Sequence, residues 1–254
     1  MVHFVGAGPG APDLITVRGA DLLRKADCVI YAGSLVNPAL LEHTKPGCEI
    51  HNSAVMTLEQ VIEVMRKADS EKKDVVRLHT GDASLFGAIR EQMDELDRLG
   101  IAYDSTPGVS SFCGAAAALS AEYTLPGVSQ SLIISRMAGR TPVPPGESLS
   151  SLAAHGASMV LFLSSGLLHE VQDELLRGGL SPETPAAIVY KATWPDERVI
   201  RCTVGTLAQR GEEEGIRKTA LLLIGQFLDP HYERSCLYDP SFTTEFRQAE
   251  QPKP

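Results

Sequence analysis

Short apolar runs alternate with longer stretches in which apolar residues recur every three or four positions, the order expected when strands and helices take turns along a chain. In the first half, residues 2–5, 27–31, 74–79 and 101–105 predict strands. Between them, residues 16–26 predict a helix with Val17, Ala20 and Leu23 on one face, and residues 58–67 an amphipathic helix through Leu58, Val61, Ile62 and Met65. Leu85, Ile89, Met93 and Leu96 mark a further helix, and the small residues of 110–121 one that can pack closely against its neighbours. In the second half, strands are predicted at 131–136, 158–163, 185–190, 198–203 and 219–227, with helices at 149–155, 167–177 and 207–213. Gly178 and Gly179 stop the middle helix. The Pro/Gly-rich stretch 139–146 suits neither element and is read as a flexible lid. This alternation predicts an α/β fold with largely parallel strands, in two domains of residues 1–121 and 122–229. A polar tail, 230–254, holds Pro230, Pro240, Pro252 and Pro254 and is expected to wrap the surface or fray.

Composition narrows the function more than the fold. The 254 residues are 43% hydrophobic and 22% charged, an ordinary balance for a folded chain, so disorder is excluded. No apolar stretch approaches the ~20 residues that cross a bilayer. The amino terminus reaches Gly6 without a basic segment followed by an apolar one, so it reads as cytoplasmic, with no secretory signal and no membrane partner. Cys28, Cys48, Cys113, Cys202 and Cys236 show no C-x-x-C spacing, which argues against a disulfide framework and against a bound metal. With 23 basic and 32 acidic side chains the net charge is −9, and no Lys/Arg run is present, so nucleic acid is a poor partner. A polyanionic small substrate remains compatible if basic residues gather in one cleft.

Gly6-Ala7-Gly8-Pro9-Gly10-Ala11 follows a strand and formally satisfies the dinucleotide fingerprint. Two details contradict that reading. Pro9 and Pro12 restrict Gly8 and Ala11 away from helical backbone, so the helix starts too late to meet a pyrophosphate. The next strand ends in Tyr31-Ala32-Gly33-Ser34, without an acid to bind a ribose. What remains is a glycine turn, either a plain tight turn or one that admits a ligand close to the backbone. Thr80-Gly81-Asp82 and 106–111 (Thr-Pro-Gly-Val-Ser-Ser) also follow strands, so three small-residue loops are expected to line one crevice at the carboxyl edge of a sheet.

These segments carry a resemblance. Gly-Ala-Gly-Pro-Gly at 6–10, Pro-Asp-Leu-Ile-Thr at 12–16, His-Thr-Gly-Asp at 79–82 and Pro-Gly-Val-Ser-Ser at 107–111 resemble the tetrapyrrole (corrin/porphyrin) methylase family. The likeness covers about residues 2–228, with the motifs in the family's order. Within the family, the segments 31–36, 139–142 and 190–197 (Tyr-Lys-Ala-Thr-Trp-Pro-Asp-Glu) are similar to members that methylate precorrin-4 at C11. The resemblance implies two α/β domains, a mainly parallel amino-terminal sheet and a mixed carboxyl-terminal one, with the donor S-adenosylmethionine between them and a homodimer as the assembly. It implies C-methylation of precorrin-4 or its cobalt form, giving precorrin-5 in cobalamin biosynthesis.

Carried over position by position, the donor contacts are Pro9, Gly81, Asp82, Leu85, Ser110, Ser111, Leu163 and Ala192. Ala83 departs from the family pattern, where proline is common. Asp82 equally suits the cap of a helix beginning near Ser84, Ser110 and Ser111 that of the alanine-rich helix, and Leu163 suits plain core. Arg136, Arg140 and Lys191 are candidates for substrate carboxylates, joined by Arg198 and Arg201 unless these face solvent. His79 is a candidate base by position, and a structural histidine at a strand end is its other reading. Alternative functions are methylation of another precorrin or uroporphyrinogen carbon, a nicotinamide-dependent oxidoreductase, and a non-catalytic tetrapyrrole carrier.

Overall fold

The computed structural model describes residues 1–33, 35–229 and 231–250; Ser34 of the 31–36 motif, and Pro230, Pro252 and Pro254 of the tail, lie outside the described residues. The chain divides into two compact units, residues 1–115 with 191–197, and 116–190 with the chain from 198 onward.

In the first unit, β1 (Val2–Gly6), α1 (Val17–Lys25), β2 (Cys28–Tyr31), β3 (Glu49–Asn52), α2 (Leu58–Ser70), β4 (Val75–His79), α3 (Arg90–Leu99) and β5 (Tyr103–Thr106) lead into α4 (Ser111–Leu119), within which the division falls. The strands form a sheet of order β3-β2-β4-β1-β5, and the pairings β1/β4, β1/β5, β2/β3 and β2/β4 are all parallel. Alternate residues serve opposite faces. Val2, Phe4, Cys28, Ile30 and Val75 pack with Val61, Ile62, Met65 and Leu96, whereas Val5, Val29, Val76 and Leu78 pack with Leu23, Ala26 and Leu40. Burial on both faces explains why these strands read as nearly continuous apolar runs. Arg77 is the exception on β4. It is buried, with Nε donating to Gln92 Oε1 at 3.0 Å and Nη1 to the Ile30 carbonyl at 3.2 Å, and burial lowers its pKa to about 10.

Local chemistry sets the helix starts. Thr16 accepts from Gly19 N ahead of α1, and Thr57 with Gln60 forms a capping box on α2. Three details differ from the pattern read in sequence. Val17 is 80% exposed, so α1 buries Gly19, Ala20 and Leu23 instead. β3 was not foreseen, because its Glu-Ile-His-Asn sequence is polar and becomes a strand only by pairing along β2. The helix expected from Leu85 begins at Arg90, since Phe86 (φ 55°) and Ala88 (φ 49°) take left-handed backbone and break the helical path.

In the second unit, β6 (Leu132–Arg136), α5 (Leu149–Ala153), β7 (Ser158–Phe162), α6 (Leu168–Arg177), β8 (Pro185–Tyr190), β9 (Arg198–Thr203), α7 (Leu207–Glu213) and β10 (Ala220–Ile224) form a mixed sheet of order β6-β7-β10-β8-β9. β6 and β7 are parallel; β10 is antiparallel to both β7 and β8, as β8 is to β9. Leu161, Ile188 and Leu222 of the sheet meet Leu168, Val171, Leu175 and Leu207 of the helices in one core. The tail holds to this unit through Glu233 N, which donates to the Pro126 carbonyl at 3.2 Å, and folds on itself where Arg247 Nη2 donates to the carbonyls of Leu237, Asp239 and Phe242. Among the described residues no helix is long and apolar enough to cross a membrane.

Candidate functional site

β4, β1 and β5 are adjacent and parallel, so the loops leaving their carboxyl ends are brought together. Gly8 and Gly81 exchange backbone hydrogen bonds, Gly8 N to Gly81 O at 3.2 Å and Gly81 N to Gly8 O at 2.8 Å. Gly6, Gly81 and Gly108 touch backbone to backbone: a Cβ on Gly108 would lie 2.1 Å from the Gly81 carbonyl oxygen and 2.7 Å from Gly6 Cα. Ser110 and Ser111 face Gly81, whose own φ is +60°.

Asp82 ties two of these loops. One carboxylate oxygen accepts from Gly108 N at 2.8 Å and the other from the amide and hydroxyl of Ser84. Burial alone would raise its pKa, but these donors outweigh burial and leave it below the ordinary value. The helix-capping reading is corrected: Asp82 closes the turn through Ser84, and the helix begins only at Arg90. Asp82→Ala orphans the Gly108 amide and is expected to cost about 1–3 kcal/mol of stability, read by urea unfolding at pH 7. With the folded pKa depressed, this contribution is present above the unfolded value near 3.8 and lost as the pH falls below it.

Residues 191–197, placed in the second domain by sequence, join the first unit because their side chains grip the glycine loop. Thr193 Oγ1 accepts from Ala11 N at 3.0 Å, and Trp194 Nε1 donates to the Pro9 carbonyl at 3.2 Å. The indole occupies the space beside Gly10, where a Cβ would come within 2.1 Å of Trp194 Cδ1. Asn37 Nδ2 donates to the Gly10 carbonyl at 2.9 Å, and Gly114 lets α4 approach Pro9 and Thr193. Ala192 is buried between Lys191 (φ 47°) and Thr193 (φ 69°).

Pro9, Gly81, Asp82, Ser110, Ser111 and Ala192 therefore lie on segments joined by direct contacts, and Leu85 follows on the Asp82 turn, its amide donating to the Asp82 carbonyl at 3.2 Å. Asn37, Gly114, Thr193 and Trp194 were missed. Thr193 and Trp194 lie in the 190–197 segment that carries the resemblance, but no periodicity signals a contact across 185 positions.

Leu163, in the second unit, is not plain core: it is 67% exposed on left-handed backbone (φ 54°) just past β7. Its neighbour Ser164 is buried and accepts from Met137 N at 2.8 Å, bracing the loops that follow β6 and β7. Arg136 is spent on the same loop, donating to the carbonyls of Met137, Thr141 and Pro142. Arg140 is exposed on that loop and makes no hydrogen bond or ion pair with the described residues. Lys191 pairs with Asp196 at 2.6 Å and lies 5.5 Å from the Trp194 ring centre. Arg198 pairs with Glu214 at 3.2 Å over the Tyr190 ring, and Arg201 donates to the Leu119 carbonyl at 3.2 Å. His79 is buried against Phe4, its Nε2 has no partner, and burial, helped by the positive charge of Arg77, lowers its pKa to about 3. Among the described residues no three His, Cys, Asp or Glu side chains are grouped to hold a metal ion.

Comparison with known proteins gives this geometry its context. The family model described as Tetrapyrrole (Corrin/Porphyrin) Methylases matches residues 1–208. A cobalt-precorrin-4 C(11)-methyltransferase of Methanocaldococcus jannaschii is 51% identical over 98% of this chain and 96% of its own length, and one of Priestia megaterium 48% identical over 97% of each. Among solved structures, a cobalamin biosynthetic enzyme named cobalt precorrin-4 methyltransferase matches 90% of this chain and 96% of its own at 48% identity and a TM-score of 0.88. The uroporphyrin-III C-methyl transferase of Thermus thermophilus, complexed with S-adenyl homocysteine, matches 92% of this chain and 95% of its own at 28% identity and a TM-score of 0.77.

Proposed function

Because the chain belongs to the tetrapyrrole (corrin/porphyrin) methylase family, we propose that it moves the methyl group of S-adenosylmethionine to C11 of precorrin-4, or of its cobalt form, giving precorrin-5 in cobalamin biosynthesis. The observation that carries this reading is the meeting of the three motif loops at the carboxyl edge of β4, β1 and β5, the place where open α/β sheets bind ligands. The loops suit a cationic sulfonium donor. Segments 6–11, 80–85 and 106–111 contain no Lys, Arg or His, and their one charged side chain is Asp82, kept ionised by its hydrogen bonds. In the second unit, Leu163 is an exposed apolar side chain on left-handed backbone, the kind of feature that marks a functional position.

Pro9, Gly81, Asp82, Leu85, Ser110, Ser111, Leu163 and Ala192 are the residues proposed to hold the donor. When bound, S-adenosylmethionine supplies an electrophilic methyl group, and alignment with an electron-rich ring carbon is what the protein has to provide. This chain's part is orientation: Asp82 fixes the spacing of two loops, and the paired backbones of Gly8 and Gly81 fix that of two. The nicotinamide alternative loses its support, since a 3-10 turn at Pro12–Leu14 separates the glycine loop from α1, so α1 does not open directly out of the loop as the dinucleotide fingerprint requires. Arg140 is the proposed contact for a substrate carboxylate, with Arg136 shaping the loop that carries it. The same reading includes a cytoplasmic homodimer with no nucleic-acid or membrane partner; light scattering of the purified protein tests the dimer.

Calorimetric titration with S-adenosylhomocysteine, with NADH in parallel, tests the donor. Micromolar binding, about −8 kcal/mol, is expected for the former alone; binding of NADH alone would overturn the reading. Arg140→Glu is expected to weaken tetrapyrrole binding about tenfold and to leave donor binding unchanged. Equal loss of both would remove Arg140 from the substrate site.

A further inference from the structure

The segment 191–197 is built as a closed turn before it meets the glycine loop. Trp194 N donates to the Lys191 carbonyl at 3.0 Å and Glu197 N to the Trp194 carbonyl at 3.0 Å, while Glu197 Oε2 accepts from Thr193 N at 2.6 Å. The Lys191–Asp196 ion pair spans the same turn at 2.6 Å. Lys191 and Thr193 both sit at positive φ, a conformation that costs a β-branched threonine dearly and persists only where the surroundings over-determine it.

This turn, together with Asn37, holds two successive peptide groups of the glycine loop, 9–10 and 10–11. The Pro9 carbonyl is fixed by the Trp194 indole, the Gly10 carbonyl by Asn37, and the Ala11 amide by the Thr193 hydroxyl. The indole also takes the place of a side chain at Gly10, and Thr193 Cγ2 and Pro9 pack on Gly114. Pro9 and Ala192 are two of the proposed donor contacts, one on each side of this latch, although they stand 183 positions apart, a separation read from the numbering.

Resting on the donor site proposed above, we infer that Trp194 and Thr193 are positioning residues for the methyl donor: they preform the Pro9–Ala11 turn and hold Ala192 beside it, so that donor affinity depends on the latch. They act through Pro9 and Ala192 and need no contact with the ring carbon that accepts the methyl group. Preformed geometry lowers the ordering cost of binding, and its loss appears in donor affinity first. Trp194, the one tryptophan, also makes intrinsic fluorescence a direct reporter of this turn.

The test compares wild type, W194F, T193V and T193S by calorimetry with S-adenosylhomocysteine, by thermal melting, and by separate KM values for donor and tetrapyrrole. W194F keeps an aromatic ring but loses the Nε1 donor, and T193V keeps the shape but loses the acceptor. Each is expected to raise the S-adenosylhomocysteine Kd and the donor KM about five- to tenfold, the size of one lost hydrogen bond. The tetrapyrrole KM is expected to stay within twofold, T193S to recover most of the affinity lost in T193V, and wild-type tryptophan emission to change with the calorimetric midpoint. Donor affinity unchanged in both variants, equal loss of donor and tetrapyrrole binding, or losses that follow the melting temperature without recovery in T193S would overturn the latch. Failure of wild type itself to bind S-adenosylhomocysteine would instead overturn the donor site, and the latch with it.

Discussion

Replacing Gly108 by alanine is expected to remove donor binding and to destabilise the first unit by about 3 kcal/mol, the upper range for forcing a methyl group into a packed site. The added Cβ would lie 2.1 Å from the Gly81 carbonyl oxygen, 2.7 Å from Gly6 Cα and 2.9 Å from Gly6 C. All three are backbone atoms of central strands or their loops, so none can swing aside as the end of a flexible side chain would. Relief requires the loop after β5 to move away from those after β1 and β4, which breaks the Asp82–Gly108 bond as well. Gly146→Ala is the control: its Cβ would have no neighbour within 4 Å, and no positive φ is required there. Urea unfolding and S-adenosylhomocysteine calorimetry on the two variants check the prediction; Gly108→Ala behaving like Gly146→Ala would show that the three-glycine contact has no role.

Acid sensitivity traced to His79 is the second large effect. Burial, with a smaller part from the Arg77 charge, lowers the folded pKa to about 3. The unfolded chain takes up a proton near pH 6.5, so below that value the unfolded state binds more protons than the folded one and stability falls with pH. The limiting slope is about 1.4 kcal/mol per pH unit, so roughly 2–3 kcal/mol is expected to disappear between pH 6.5 and 4.5. Its contribution is full above pH 6.5 and falls steadily towards the folded value. His79→Gln removes this titration, and the difference between the pH–stability curves of wild type and variant isolates it from other groups. Parallel curves would disprove the assignment. The same burial argues against proton transfer by His79 at neutral pH, where a base is most effective with a pKa near the operating pH. At matched folded fraction, H79Q is therefore expected to keep activity within about tenfold; a loss beyond about a hundredfold would restore His79 as the base.

Much of the architecture was legible because strands buried on both faces leave short continuous apolar runs, and the helices between them leave apolar positions every three or four residues. β8 and β9 have the predicted bounds, and β1, β2, β4, β6 and β7 differ by one residue at an end. β3 was invisible because an edge strand with Glu49, His51 and Asn52 gains its conformation from its neighbour rather than from its own side chains. The helix after β4 was read five residues early, since Leu85 and Ile89 continue the apolar period of Met93 and Leu96 through a turn that is not helical. In the site, the three glycine-bearing loops were identified from their positions after strands. The charges were less legible. Arg136, Lys191, Arg198 and Arg201 all looked available in sequence, yet each is engaged by a carbonyl or a carboxylate.

Sequence alone determined the family, through motifs in fixed order, and the alternation of strands and helices, through short apolar runs and apolar positions recurring every three or four residues. Tertiary structure decided which of those motifs touch. The Asp82–Gly108 bond, the Gly6–Gly81–Gly108 contact and the docking of Trp194 on Pro9 join residues 26 to 185 positions apart. Local propensity extends over only a few neighbouring residues, whereas such contacts depend on strand order, register and the left-handed turns that aim Thr193 and Leu163. The physical reason is that a side chain's neighbours along the chain set its conformation, but its partners in space set its role.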